Sequence, residues 1–174
     1  MKLNRSSIFI MICSLILISL LLIWACSRQA EEVKTIPQGE IDFSLPDLSG
    51  NMVNFSDFKG KVIILDFWAI WCYPCLVEIP HFIDLYNTYR LEGLEIIGIT
   101  MPPGSAEDVV KKVQELNINY IILMGNNEVA QKFGGIGGYP TTFIIDKEGR
   151  IYKKYIGSRP NIKQLLEADI KSLF

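Results

Sequence analysis

The chain has 174 residues, 49% of them apolar and 21% charged, enough for one packed domain with flanking segments. Its formal net charge is −2, and apart from Lys2 and Arg5 it carries 15 basic against 19 acidic residues. That balance excludes the basic footprint of a nucleic-acid binder.

Residues 1–25 read as a signal peptide or membrane anchor. Lys2 and Arg5 come first, and Ser6 to Cys26 contains no charge. Such a run is long enough to cross a bilayer and longer than the apolar core of an ordinary cleaved signal. The basic flank stays in the cytoplasm and the remainder of the chain is exported. The stretch "IWAC" resembles a bacterial lipoprotein signal, in which Cys26 becomes the lipidated N-terminus. Trp24 departs from the small or aliphatic residue usual at its position. A lipid anchor is favoured, with an uncleaved helix and a plain cleaved signal as alternatives. All three place the domain outside the cytoplasm, in the periplasm or on the outer face of the cytoplasmic membrane. Residues 26–39 are polar and aperiodic and form a flexible tether.

The domain spans residues 40–174. "IDFSLPDLSGNMVNF" predicts a hairpin turning at "DLSG". "VIILDFWAI" is a strand buried on both faces. Leu76 to Arg90 has a helical stripe at Leu76, Ile79, Phe82, Ile83, Tyr86 and Tyr89, with Pro80 expected to kink it. "LEIIGIT" is a strand, and "SAEDVVKKVQEL" a helix with Ser105 and Asp108 as a capping box. "YIILM" is a strand and "NNEVAQKF" a short helix. "TTFIID" and "RIYKKYIG" form a second hairpin, and "NIKQLLEADIKSLF" closes the chain as an amphipathic helix. The order ββ-β-α-β-α-β-α-β-β-α predicts an α/β fold, a mixed sheet with helices on both faces.

Four cysteines are present, but Cys13 lies inside the apolar run and Cys26 at its end. Cys72 and Cys75 belong to the domain, in "DFWAIWCYPCLVEIP". One pair is no disulfide framework, and the single histidine, His81, is too little to complete a four-ligand zinc site. His81 reads as a surface residue. A static disulfide over three residues closes almost no chain and stabilises little. A redox pair is the favoured reading. Cys72 falls at a helix N-terminus, where unpaired N–H groups and the dipole favour a thiolate. Pro74 suits the first turn. Cys75, one turn on, should lie sheltered beneath Cys72. Cys72 would then attack a partner disulfide and Cys75 resolve the mixed disulfide.

Asp66 interrupts an apolar strand. Buried, it would hold its proton more tightly and exchange it with Cys75; at a wet strand end it would merely be solvated. Glu78 is either an exposed acid near the helix start or an acid that tunes the sulfurs. Trp71 should cover the exposed sulfur, while Trp68 reads equally as core. "FGGIGGYPTTFIID" lacks the dinucleotide pattern and leads into a strand.

"DFWAIWCYPC" closely resembles the active-site segment of thioredoxins, and "GGYPTTFIID" their cis-proline loop. "DFSLPDLSGNMVNFSDFKGKVIILDFWAIWCYPCLVEIP" is similar to the TlpA/ResA-like branch of thiol-disulfide oxidoreductases. The resemblance implies a thioredoxin-like fold with an N-terminal β-hairpin and a central strand–helix insertion. It implies Cys72 and Cys75 as the redox pair, and Pro140 in cis against the disulfide. Trp71, Tyr73, Pro74, Tyr139, Pro140 and Thr141 would border a substrate groove. Glu78 matches the active-site glutamate of this branch. Asp66 matches the buried acid of thioredoxin, so the chain carries both.

The implied function is reduction of disulfides in envelope proteins, with apocytochrome c as a candidate substrate and a membrane thiol as electron donor. A monomer with no cofactor and no metal beyond the redox-active Cys72–Cys75 disulfide is expected. The rivals are a thiol-based copper-binding lipoprotein and a thiol peroxidase.

Overall fold

Asp47 organises the first turn of the computed structural model, which describes residues 41–174. The apolar N-terminal run, Cys13, Cys26 and the tether to residue 39 lie outside the described residues. Asp47 Oδ1 accepts the N–H groups of Ser49 (2.8 Å) and Asn51 (2.9 Å), an Asx turn that suits "DLSG". It joins Ser44–Pro46 (β1) and Met52–Asn54 (β2), which pair antiparallel as the expected hairpin. A bridge from Asp47 to Leu123 lays this hairpin beside the edge of the main sheet.

A 3-10 turn, Phe55–Phe58, leads into Val62–Trp68 (β3), buried at all seven positions. The helix Tyr73–Tyr89 (α1) comes next, then Leu94–Thr100 (β4). Ala106–Glu115 (α2) starts on the predicted capping box, Ser105 Oγ accepting the N–H of Asp108 at 3.1 Å. Ile121–Met124 (β5) precedes Asn127–Lys132 (α3), which is capped by Asn126 Oδ1 accepting the N–H of Val129 at 2.9 Å. Thr141–Ile145 (β6), Ile151–Ile156 (β7) and Ile162–Lys171 (α4) complete the chain.

The five-stranded sheet runs β5-β4-β3-β6-β7. β3, β4 and β5 are parallel, as crossover helices require, and β6 and β7 are antiparallel to their neighbours. The strand–helix unit predicted in mid-chain is present as α2 and β5, and β5 forms the parallel edge. Strand alternation sends Ile63, Leu65 and Phe67 to one face, against the hairpin phenyl rings and α3. It sends Val62, Ile64, Asp66 and Trp68 to the other, where α1, α2 and α4 pack.

α1 runs unbroken through Pro80. Its buried face is Cys75, Glu78, Ile79, Phe82, Leu85 and Tyr89, while Leu76, Ile83 and Tyr86 of the predicted stripe are half-buried. The helix packs on the sheet and against α4, so its buried arc is rotated and wider than a one-sided stripe. That rotation takes in Leu85 and, decisively, Glu78.

Candidate active site

β3 ends at Trp68, and the chain turns through Ala69–Trp71 into α1. Cys72 is the N-cap residue, and its Sγ accepts the N–H of Cys75 at 3.3 Å. Pro74 stands in the first turn, where a missing N–H costs nothing. Cys72 and Cys75 are joined in a disulfide, Cα to Cα 5.3 Å. When that bond opens, a thiolate on Cys72 sits at the positive end of a seventeen-residue helix.

The expected contrast in exposure between the sulfur-bearing residues is nearly absent. Cys72 is 5% exposed and Cys75 1%. In the disulfide form both pack with Trp68, Ala69, Ile79 and Val109, with Tyr139 alongside. Trp68 is therefore core. Trp71 and Tyr73 are 56% and 76% exposed. The Trp71 ring, expected over the sulfur, lies edge-on to Tyr139 at 5.8 Å.

The Tyr139–Pro140 bond is cis, as the resemblance implied, and so is Pro102–Pro103, which nothing in the sequence singled out. Pro140 is buried and Tyr139 half-buried. The Thr141 side chain is buried, and its Oγ1 donates to the Gly138 carbonyl at 2.7 Å. It ties the loop together because the hydroxyl, once buried by β6, needs a local acceptor.

Asp66 is not at a wet strand end. It is 3% exposed, in the middle of the sheet's central strand, and Thr142 Oγ1 donates to its Oδ1 at 2.8 Å. Burial pushes its carboxyl up to about 8; the Thr142 hydrogen bond opposes that rise, and the charge of Glu78 adds to it. Tyr120, ahead of β5, is itself held well above the usual phenol range by burial and then by the Asp66 charge.

Glu78 is likewise buried, at 2% exposure, which removes the reading of an exposed acid. Burial raises its carboxyl; Ser158, the backbone N–H of Arg159 and the charge of His81 hold it back. The Arg159 N–H donates to Oε1 at 3.3 Å. The loop after β7 thus closes over this acid. Two carboxyls on adjacent elements, both disposed to keep a proton, lie on the side of the sheet that carries the cysteine pair. Asp66, raised to about 8, takes up and returns a proton near neutral pH, and Glu78 is shifted in the same direction.

Thr142, Tyr120, Ser158 and Arg159 were missed in the sequence. "TTFIID" held one usable signal: strand alternation puts the second threonine, not the first, on the face opposite Phe143. Its partner is decided by register alone. His81, assigned no role, lies close enough to act on Glu78. Among the described residues no three His, Cys, Asp or Glu side chains gather as a metal-binding group.

The AhpC/TSA family matches residues 37–154. The thiol-disulfide oxidoreductase ResA of Geobacillus thermodenitrificans is 34% identical over 129 residues, 73% of this chain and 74% of that protein. ResA of Bacillus anthracis is 31% identical over 134 residues, 76% of this chain and 75% of that protein. A thiol:disulfide interchange protein of the thioredoxin family from Chlorobium tepidum superposes with a TM-score of 0.70 at 28% identity, covering 80% of this chain and 97% of that one. The thioredoxin domain of a thiol-disulfide oxidoreductase from Bacteroides vulgatus gives 0.68 at 26% identity, covering 78% and 98%. The chain therefore belongs to the AhpC/TSA family and is a ResA/TlpA-like thiol-disulfide oxidoreductase of the thioredoxin superfamily, with Cys72 and Cys75 as its cysteine pair.

Proposed function

We propose that this chain is a membrane-tethered, extracytoplasmic monomer that reduces disulfides in other envelope proteins, apocytochrome c awaiting haem attachment among them. The observation that carries this reading is the Cys72–Cys75 disulfide at the N-terminus of α1, with Cys72 Sγ in the position of a helix-cap acceptor. The cap site favours negative charge on Cys72 and so makes it the attacking thiol.

In the reduced protein the Cys72 thiolate attacks one sulfur of the partner's disulfide. A mixed disulfide forms and the partner's other sulfur leaves as a thiolate. Cys75 gives its proton to Asp66 or Glu78 and attacks Cys72 Sγ, releasing the partner's second thiol. Two electrons pass to the partner, and this chain is left as the Cys72–Cys75 disulfide. A membrane dithiol donor returns two electrons and completes the cycle. Pro74 in the second slot between the cysteines, as in thioredoxin, supports the reducing direction.

The uncharged run from Ser6 to Cys26 and the "IWAC" stretch support the tether, with Cys26 as the lipidated residue. Among the described residues no helix is long and apolar enough to cross a membrane. Attachment is assigned to the N-terminal run on its sequence alone. Incorporation of labelled fatty acid, lost in Cys26→Ala, separates lipid anchoring from an uncleaved helix.

Trapping tests the central reading. Full-length Cys75→Ser should accumulate envelope proteins disulfide-linked to Cys72, released by dithiothreitol and identified by mass spectrometry. Absence of adducts in cells where the wild type turns over thiols would overturn it. Stoichiometric copper(I) binding without disulfide reduction would favour the carrier instead.

A further inference from the structure

We infer that Thr142 is a positioning residue for exchange, its hydroxyl holding the carboxyl of Asp66 in one orientation inside the sheet. The inference rests on the proposed function and takes Asp66, of the two acids named there, as the one that exchanges the proton of Cys75.

Register makes the contact. Asp66 pairs with Thr142 across β6 and with Gly98 across β4, and residues opposite each other in register share a face. Gly98 contributes no side chain. A Cβ there would stand 2.6 Å from Ile122 Cδ1 and 3.1 Å from Trp68 Nε1, so packing already fills that flank. On the other flank the Thr142 hydroxyl lies 2.8 Å from Asp66 Oδ1, and both residues are buried.

The chemistry of a hydroxyl suits both states of the acid. It donates to the carboxylate, and it rotates to accept from the carboxylic acid. A buried carboxylate without its donor loses much more than a buried carboxylic acid does. Thr142 therefore favours release of the proton and sets how readily Asp66 gives it up. The other groups acting here are Glu78 from α1, whose charge opposes ionisation of Asp66, with His81 acting on Glu78, and Tyr120 from the segment before β5, whose own ionisation the Asp66 charge opposes.

The test is the Asp66 carboxyl titration, read by 13Cγ-aspartate NMR on the oxidised full-length protein in detergent, where the cysteines do not titrate. Thr142→Val keeps the branched shape and removes the hydroxyl. Its Asp66 midpoint should rise by about 1 pH unit, while Thr142→Ser stays at the wild-type value. The pH–rate profile of disulfide reduction should move the same way in Thr142→Val, and adding Thr142→Val to Asp66→Asn should change nothing further. An unmoved midpoint in Thr142→Val, or an equal rise in Thr142→Ser, would overturn the inference. If the valine variant does not fold, Thr142→Ala against Thr142→Ser asks the same question. A carboxyl midpoint that moves while Asp66→Asn leaves the rate profile intact would uphold the Thr142 contact and remove Asp66 from the exchange step.

Discussion

Trp71 and Tyr139 meet edge to face with ring centroids 5.8 Å apart, so the residue before Cys72 and the residue before Pro140 form one aromatic wall beside the disulfide. Two loops far apart in the chain are thereby held in a fixed relation. Trp71 remains half exposed, available to a partner chain.

Removing the indole should weaken engagement of protein substrates and little else. Trp71→Ala should lower kcat/KM for a protein disulfide by about 2- to 10-fold, the worth of one aromatic pair, with the loss in KM. Melting temperature and the reduction of a small aromatic disulfide should hardly change. Equal losses on both substrates would place Trp71 in the chemistry instead.

Asp66 makes stability fall with pH in a defined window. The folded protein keeps its proton up to about pH 8, whereas the unfolded chain loses it near 3.8. Between those values the unfolded state binds fewer protons, so stability declines as pH rises through the window and levels off above it. At pH 7 this loss is on the order of 4 kcal/mol. Oxidised Asp66→Asn should lack it and resist denaturant better than wild type at pH 7, the two converging near pH 4, while reducing disulfides more slowly. Parallel stability curves across this range would show that Asp66 keeps no proton in the fold.

Glu78 should act on Asp66 through its charge. Glu78→Gln removes a negative neighbour that raises the Asp66 carboxyl, so the Asp66 midpoint should drop. Glutamine can still accept the Arg159 N–H, which holds the stability change to within about 1 kcal/mol. The Asp66 13Cγ titration checks the first expectation and chemical denaturation the second; an unmoved midpoint would mean that Glu78 carries no charge where Asp66 titrates.

Gly98 is required for want of space. In Gly98→Ala the new methyl would meet Ile122 Cδ1 at 2.6 Å. We expect a loss of about 1–3 kcal/mol from overpacking. Ile122→Val deletes the Cδ1 atom and should restore part of that loss in the double variant, measured as a denaturation cycle; strict additivity would refute the clash.

What the sequence by itself determined was local. The Asp47 turn, the Ser105–Asp108 capping box, the strand around Asp66 and the cysteine pair at a helix start all depend on residues within a few positions of one another. Element order and the reactive pair were accordingly legible, and the thioredoxin-like arrangement with them. What only the tertiary structure decided was the pairing of residues distant in the chain. Thr142 meets Asp66 because β6 lies antiparallel to β3 in one register, and a slip of one residue would turn that hydroxyl to the other face. Glu78 is buried because the loop carrying Ser158 and Arg159 folds back onto α1 between the sheet and α4. Burial is a property of everything packed around a group. The helix periodicity that placed Glu78 near the active pair therefore could not decide whether it faced water or the core.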